Sequence, residues 1–183
     1  MKEIQLQTFR LTLRTLKEED ITEAYVNGLN DPDINTYLSV AGKLQNLEGC
    51  ISYVRSYKER TDAALIGIFF QQGELHIGNL TLSSIDVPHS YACIGISIWR
   101  KEFMGKGYAA EVLTAIRDYC FKVFLLHRLE ACIAVTNTPS IKLFLTCGFR
   151  IEGCLRDRTR VRNAYEDVYI LGMVRDECNI ESS

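Results

Sequence analysis

The rhythm of apolar and polar positions changes several times along this chain, and each change marks an element. Phe9-Arg10-Leu11-Thr12-Leu13-Arg14 alternates with the period of two expected of a strand. From about residue 18 to 62 the spacing is helical, and Asp31-Pro32-Asp33 carries the signal of a helix start. Strands follow at Ala64 to Phe70, at Leu75 to Leu82 after a turn at Gln72-Gly73, and at Ala92 to Trp99. A helix from about 106 to 124 then carries Val112, Ile116, Tyr119, Cys120 and Val123 on one face. A strand at 128 to 135, a short helix at 138 to 147 and a final pair around 149 to 158 and 165 to 174 complete the order. The sequence β, α, α, β, β, β, α, β, α, β, β predicts an α/β (α+β) fold, with a mixed sheet and helices on both faces.

The most informative stretch lies where the apolar strand ending at Trp99 becomes an amphipathic helix. There Met104-Gly105-Lys106-Gly107-Tyr108-Ala109 places two glycines just ahead of the first helical turn. Glycine lets the chain approach a ligand closely, and the first helical N–H groups have no intrahelical acceptor. Free amides at the positive end of a helix dipole suit a pyrophosphate. The segment is neither a Walker-type loop, since Tyr108 follows the second glycine, nor a dinucleotide fingerprint, since the third glycine is missing.

Together with His127-Arg128-Leu129-Glu130-Ala131, Asn137-Thr138-Pro139-Ser140 and Cys147-Gly148-Phe149-Arg150-Ile151-Glu152-Gly153, this run resembles the GCN5-related N-acetyltransferase (GNAT) superfamily. Phe9 to Arg14 and Ile77-Gly78-Asn79-Leu80 match as well, and the pattern is most similar to the branch that acetylates ribosomal-protein N-termini, the Rim type. The resemblance spans roughly residues 8 to 174 and implies a mostly antiparallel sheet whose fourth and fifth strands splay apart around acetyl-CoA.

Composition agrees with one globular unit over residues 1 to 183, with a polar tail from 176 onward. The chain is 47% hydrophobic and 24% charged, enough to bury a core. A net charge of −2 offers no general attraction to nucleic acid or to anionic membranes. The first residues lack an apolar signal core, so the reading is a cytoplasmic protein. Seven cysteines, without a Cys-x-x-Cys pair, read as reduced small hydrophobes, with no metal site expected.

The resemblance assigns roles residue by residue. Backbone groups near Ser97 and Ile98 would pair with the pantetheine arm, and amides from Met104 through Gly105, Lys106, Gly107 and Tyr108 to Ala109 would hold the pyrophosphate. The Asn137 side chain would meet the pantetheine, and the Ser140 hydroxyl would lie near the sulfur. Glu102 stands where the family usually has Gln or Arg, leaving Lys101 or Lys106 to supply charge. Many members carry a tyrosine acid one helical turn beyond Ser140, but Phe144 occupies that place, so Ser140 is the candidate for protonating the departing thiolate. The implied reaction is direct attack of a neutral amine on the thioester, with a strand N–H stabilising the oxyanion.

The base is harder to read. Some Rim-type enzymes use a glutamate at the place that falls here on Thr159. His76, Asp86, His89, Tyr91, Glu152 and Asp167 are the titratable alternatives, and His89 is preferred because an unperturbed imidazole titrates near neutrality. A missing strong base tilts the acceptor toward amines of low pKa, since an α-amine near about 8 is partly neutral whereas a lysine near about 10.4 is not.

Arg156, Arg158, Arg160 and Arg162 share one parity and, if extended, would line one sheet face, with Arg156 and Arg158 as candidates to recognise an acidic acceptor. Asn163-Ala164 replaces the usual Asn-Gly of the hairpin, which predicts another turn type. The first reading of the acceptor is a protein N-terminal α-amine and the second a small amine such as a nucleotide-linked amino sugar, with polyamines third. A non-catalytic acyl-CoA-binding module is the alternative of a different class, and a homodimer is a family-level expectation.

Overall fold

The computed structural model describes residues 3–38 and 41–176. Cys178 and the expected polar tail from 177 onward lie outside the described residues.

Eight strands form one sheet in the order β1-β2-β3-β4-β5-β6-β8-β7. They are β1 (Gln5–Gln7), β2 (Leu11–Thr15), β3 (Ala64–Phe70), β4 (Leu75–Asp86), β5 (Tyr91–Ile98), β6 (Arg128–Ala134), β7 (Arg150–Val161) and β8 (Ala164–Val174). The helices are α1 (Glu23–Asn30), α2 (Pro32–Asn35), α3 (Leu47–Arg55), α4 (Tyr108–Lys122) and α5 (Thr138–Thr146). Strand β1 was not foreseen, so the fourth and fifth predicted strands are β5 and β6. All neighbours pair antiparallel except β5 with β6.

Strand β3 shows why the layers form. Its residues alternate between faces, and both are covered. Ile66 and Ile68 join the cluster containing Val112, Leu113 and Ile116 of α4, while Leu65 and Phe69 join Tyr25 of α1 and Val54 of α3. A strand buried on both sides reads as a continuous apolar run.

The helices start where side chains can satisfy their first N–H groups. Thr22 caps α1 by accepting from Tyr25 N at 3.3 Å, Asp31 caps α2 by accepting from Asp33 N at 3.0 Å, and Asn46 caps α3 by accepting from Gly49 N at 2.7 Å. The expected apolar face of α4 is buried at Val112, Ile116 and Cys120, but Val123 follows the last helical turn and is exposed.

The feature that makes the site is the partial β5–β6 ladder. It pairs Tyr91 with Arg128, Ala92 with Leu129 and Cys93 with Glu130, and then stops. Beyond that point β6 continues on β8 and β5 on β4, so the two strands diverge.

Candidate active site

The amides of β5 can be assigned from its pairing. Trp99 N donates to the Ile77 carbonyl at 3.1 Å, and in an antiparallel pair alternate residues turn toward the same neighbour. Gly95 and Ser97 therefore face β4, and the Ser97 carbonyl oxygen lies against Gly78 on that strand. Ile94, Ile96 and Ile98 present their backbone groups to the gap. Of the two expected residues, Ile98 turns its backbone to the gap and Ser97 does not, because its amide groups are turned to β4; Ile96 is the neighbour that does.

At the mouth of the gap a single tight turn, Lys101–Phe103, leads into the glycine loop. Gly105 and Gly107 have φ of 69° and 80°, a region that L side chains rarely adopt, and an added Cβ at Gly105 would meet nothing within 4 Å. Glu111 N donates to Gly107 O at 3.1 Å, the first helical bond, so the amides of Tyr108, Ala109 and Ala110 point out of the helix start. Met104 N is already bonded to Lys101 O at 3.1 Å, which removes it from the amides available to a phosphate.

The charge at this loop comes from an unforeseen side chain. Arg10 donates from Nη1 to Lys106 O at 3.1 Å, and its guanidinium lies 4.0 Å from the Tyr108 ring centroid. Lys101 is engaged elsewhere, bonded to Asp31 at 2.8 Å and Asp33 at 2.9 Å. Lys106 is exposed. An open glycine loop, a free helix start and a cation beside it fit a pyrophosphate, and the unpaired β5 edge fits an extended amide-bearing arm. This donor set therefore fits coenzyme A. Arg10 belongs to the motif visible at the start of the sequence, but only the long-range pairing of β2 brings it to the loop.

Deeper in the gap lies a cavity of about 310 Å3. Ile94, Gly95 and Ile96 of β5 form one wall, Cys132 to Ala134 of β6 another, and Ser140 and Phe144 of α5 with its cap residue Asn137 a third. Asn137 Oδ1 caps α5 by accepting from Ser140 N at 3.3 Å, which turns the first helical turn toward the cavity. Phe144 is buried, with its ring centroid 4.9 Å from that of Phe149, so no proton donor comes from that position. The remaining wall combines Thr36, Tyr37 and Leu38, which follow α2, with Arg158 to Val161 of β7.

The arginine row does not form as expected. Asp157 has φ of 50°, and four residues of β7 span two of β8 between Leu155 and Thr159, so the regular ladder is interrupted in the middle of the row. Arg158 and Arg160 line the cavity, Arg156 does not, and Arg162 sits in the hairpin turn. That turn is also corrected. It is centred on Arg162 and Asn163, both at positive φ (48° and 69°), the signature of a type I′ hairpin displaced by one residue.

His89 is not brought to the site. It is exposed in the β4–β5 turn, with Nδ1 2.9 Å from Asp86 Oδ1, beside the paired end of β5 and away from the gap. Preference for a neutral pKa overlooked position along the strand. The His89 backbone N–H and ring hold the Asp86 carboxyl below its ordinary range. His76 stacks on Phe69 at 4.6 Å, and burial pushes its pKa down despite hydrogen bonds to Asn79 and Gly78. Glu152 is bonded to Arg128, and Asp167 accepts from Asp157 N at 3.0 Å. None of these residues lines the cavity. The thiol of Cys132, which does, is pushed up by burial, so it is not an activated nucleophile.

A splayed sheet, a glycine loop at a helix start and a cavity between them define an acyl-CoA-dependent transferase. The sequence profile for the acetyltransferase (GNAT) domain matches residues 10–150, and the chain belongs to that family. It is an N-acetyltransferase that uses acetyl-CoA and an amine acceptor. An uncharacterized N-acetyltransferase, p20, of Bacillus licheniformis is 30% identical over 174 residues, 94% of this chain and 97% of that protein. Spermidine N(1)-acetyltransferase of Vibrio cholerae is 35% identical over 98 residues, covering 52% of this chain and 56% of that protein. A ribosomal-protein-serine acetyltransferase of Escherichia coli is 29% identical over 110 residues, covering 60% of each. The crystal structure of spermidine N-acetyltransferase from Vibrio cholerae in complex with CoA and spermine superposes with a TM-score of 0.82 at 25% identity, covering 92% of this chain and 97% of that one. Among the described residues no helix is long and apolar enough to cross a membrane.

Proposed function

We propose that the acceptor is a primary amine of low basicity carried beside negative charge, a protein N-terminal α-amine foremost. The observation that carries this reading is the make-up of the cavity wall, which contains Arg158 and Arg160 and, among the described residues, no carboxylate. A polycation entering that wall meets like charge, which is destabilising at short range, whereas an acidic peptide terminus meets its complement. An amino sugar on a nucleotide carrier fits the same pair through its pyrophosphate. The similarity to the ribosomal-protein-serine enzyme supports the Rim-type assignment.

Acetyl-CoA supplies the activated acetyl group. In this proposal the Ile96 and Ile98 backbone groups, the Tyr108 to Ala110 amides and Arg10 hold it, with the Asn137 side chain alongside. Ser140, on the cavity wall, protonates the departing sulfur. An N–H on the gap side of β5 stabilises charge on the carbonyl oxygen. Residues 1–183 are taken as one catalytic unit acting in the cytoplasm.

A second reading is favoured by a separate observation, the similarity to the Vibrio cholerae spermidine enzymes, and assigns a polyamine acceptor. Thiol release against acidic and basic N-terminal peptides, nucleotide-linked amino sugars and spermidine decides between them. The first reading expects turnover with an acidic N-terminal peptide at a kcat/KM well above that for spermidine. The reverse order would overturn it.

A further inference from the structure

An ammonium acceptor must lose a proton before it attacks, and no carboxylate lines the cavity. One stands beside the wall, on the neighbouring strand. Glu166 of β8 is the cross-strand partner of Thr159, a cavity residue, and such partners project from the same face. Glu166 Oε2 accepts from Thr136 Oγ1 at 2.5 Å. The hydroxyl of Tyr37, a residue of the cavity wall, lies 3.4 Å from that Thr136 Oγ1 and 3.3 Å from the Thr136 carbonyl oxygen.

The direction of this chain follows from proton counting. A threonine hydroxyl has one proton, and when that proton is given to a carboxylate the oxygen can only accept from a further partner. Tyr37 has one proton to give and two acceptors within reach, but the Thr136 carbonyl already accepts from Thr138 N at 2.9 Å; in the relay Tyr37 donates to Thr136 Oγ1, and its own oxygen is left to accept from a group in the cavity. The Tyr37 contact is loose, as catalytic hydrogen bonds often are before substrate is bound. Among the described residues Glu166 enters no ion pair. Of the charged residues on the flanking strands β6 and β7, which also carry Arg128, Glu130, Arg150, Glu152, Arg156 and Asp157, Arg158 and Arg160 lie nearest in register, on either side of Thr159. Its neighbour Asp167 turns instead to Cys154 Sγ at 3.8 Å and Asp157 N at 3.0 Å.

We propose that Glu166 is the terminus of a proton relay that deprotonates the acceptor amine through Tyr37 and Thr136. The ammonium proton moves to the Tyr37 oxygen as the Tyr37 proton passes to Thr136 Oγ1 and the Thr136 proton to Glu166 Oε2. Both hydroxyls end neutral, and the carboxylate becomes a carboxylic acid that later releases its proton to solvent. The neutral nitrogen forms its bond to the acetyl carbon and the carbon–sulfur bond breaks. The nitrogen then sheds a second proton, which reaches the sulfur by way of Ser140. Tyr37 meets the substrate; Thr136 and Glu166 act through it.

The inference rests on the amine-acetylation site described above but on no particular acceptor. It is tested with Glu166→Gln and Tyr37→Phe, using two amines that the wild type acetylates, one strongly basic and one already largely neutral at the assay pH. Both variants should keep their acetyl-CoA affinity. On the basic amine both should lose about 10²-fold in kcat, within the usual range for a general base. The loss should be several-fold smaller on the neutral amine, and the acidic limb of the kcat/KM profile should shift toward the basic amine's own pKa. Equal losses on both amines with an unmoved profile, or no loss, would overturn the relay. Failure of the acceptor reading is seen separately, as wild-type preference for a different amine class.

Discussion

Arg10 donates from its backbone N and from Nε to opposite oxygens of Glu111, at 2.8 Å and 2.7 Å, and so ties the start of the second strand to the helix that carries the glycine loop. Thr8 Oγ1 adds a third bond to the same carboxylate at 2.5 Å. One side chain thus fixes the helix start and aims a guanidinium at the loop.

Glu111→Gln should therefore weaken both fold and cofactor binding. Burial works against ionisation of this carboxyl, yet the bonds from Thr8 and Arg10 outweigh it and hold its pKa below the usual value. A depressed carboxylate contributes stability that is present above its unfolded pKa and is lost as pH falls through the folded one. The variant should lose about 1–3 kcal/mol at neutral pH, and the gap to wild type should close below about pH 4. Thermal melts from pH 3 to 7 measure it; a gap that does not change with pH would remove the charge from the explanation.

Gly107→Ala should cost acetyl-CoA affinity through the backbone. The nearest atom to an added Cβ is Arg10 Nη2 at 3.6 Å, an ordinary contact, so space is not the constraint. Its φ is 80°, and holding an L residue there costs about 1–2 kcal/mol. Calorimetric titration should show Kd for acetyl-CoA rising about 5- to 30-fold. Unchanged affinity would place the pyrophosphate elsewhere.

Ser140→Ala and His89→Ala form a contrasting pair. The first removes a hydroxyl from the cavity wall and should lower kcat by about 10²-fold, with acetyl-CoA Kd little changed. The second alters an exposed turn and should leave kcat and KM near wild type. Steady-state kinetics with one amine suffices, and a large effect of His89→Ala would reverse the positional argument against it.

Arg158→Ala should act on the acceptor alone. Removing a charged hydrogen-bonding partner typically costs about 1.5–3 kcal/mol, which predicts a kcat/KM for an acidic N-terminal peptide lower by about 10- to 100-fold. Turnover of spermidine should hold or improve. Parallel losses on both amines would mean that the side chain supports the hairpin and does not read the acceptor.

The two sides of the site were unequally legible in the sequence. Gly105, Gly107 and the start of the following helix depend on conformational demands that neighbouring residues reveal, and the Asn137 cap is equally local. Tyr37, Thr136 and Glu166 carry no local signal, because their meeting is made by contacts 99 and 30 residues apart in sequence. The β7 arginines were misread for a related reason. Their parity is a property of a regular strand, and a left-handed non-glycine residue at Asp157, held by an Asp167 bond to its N–H, is invisible to alternation. The first strand escaped notice because Gln-Leu-Gln is short and mostly polar. Ser97 was off by one position because register, which sequence alone does not give, decides which amides face the gap.

The irregularity at Asp157 also bears on how this enzyme can change over evolutionary time. In the proposed site the donor side is held largely by main-chain groups, which most substitutions leave alone. The acceptor contacts proposed for it come from side chains of a hairpin that the irregularity releases from the regular ladder. Lineages could therefore exchange one amine for another by editing a few hairpin positions, at little risk to the acetyl donor. Related sequences with the same core could accordingly diverge in what they modify, and the residues from 157 to 166 are where that history would be written.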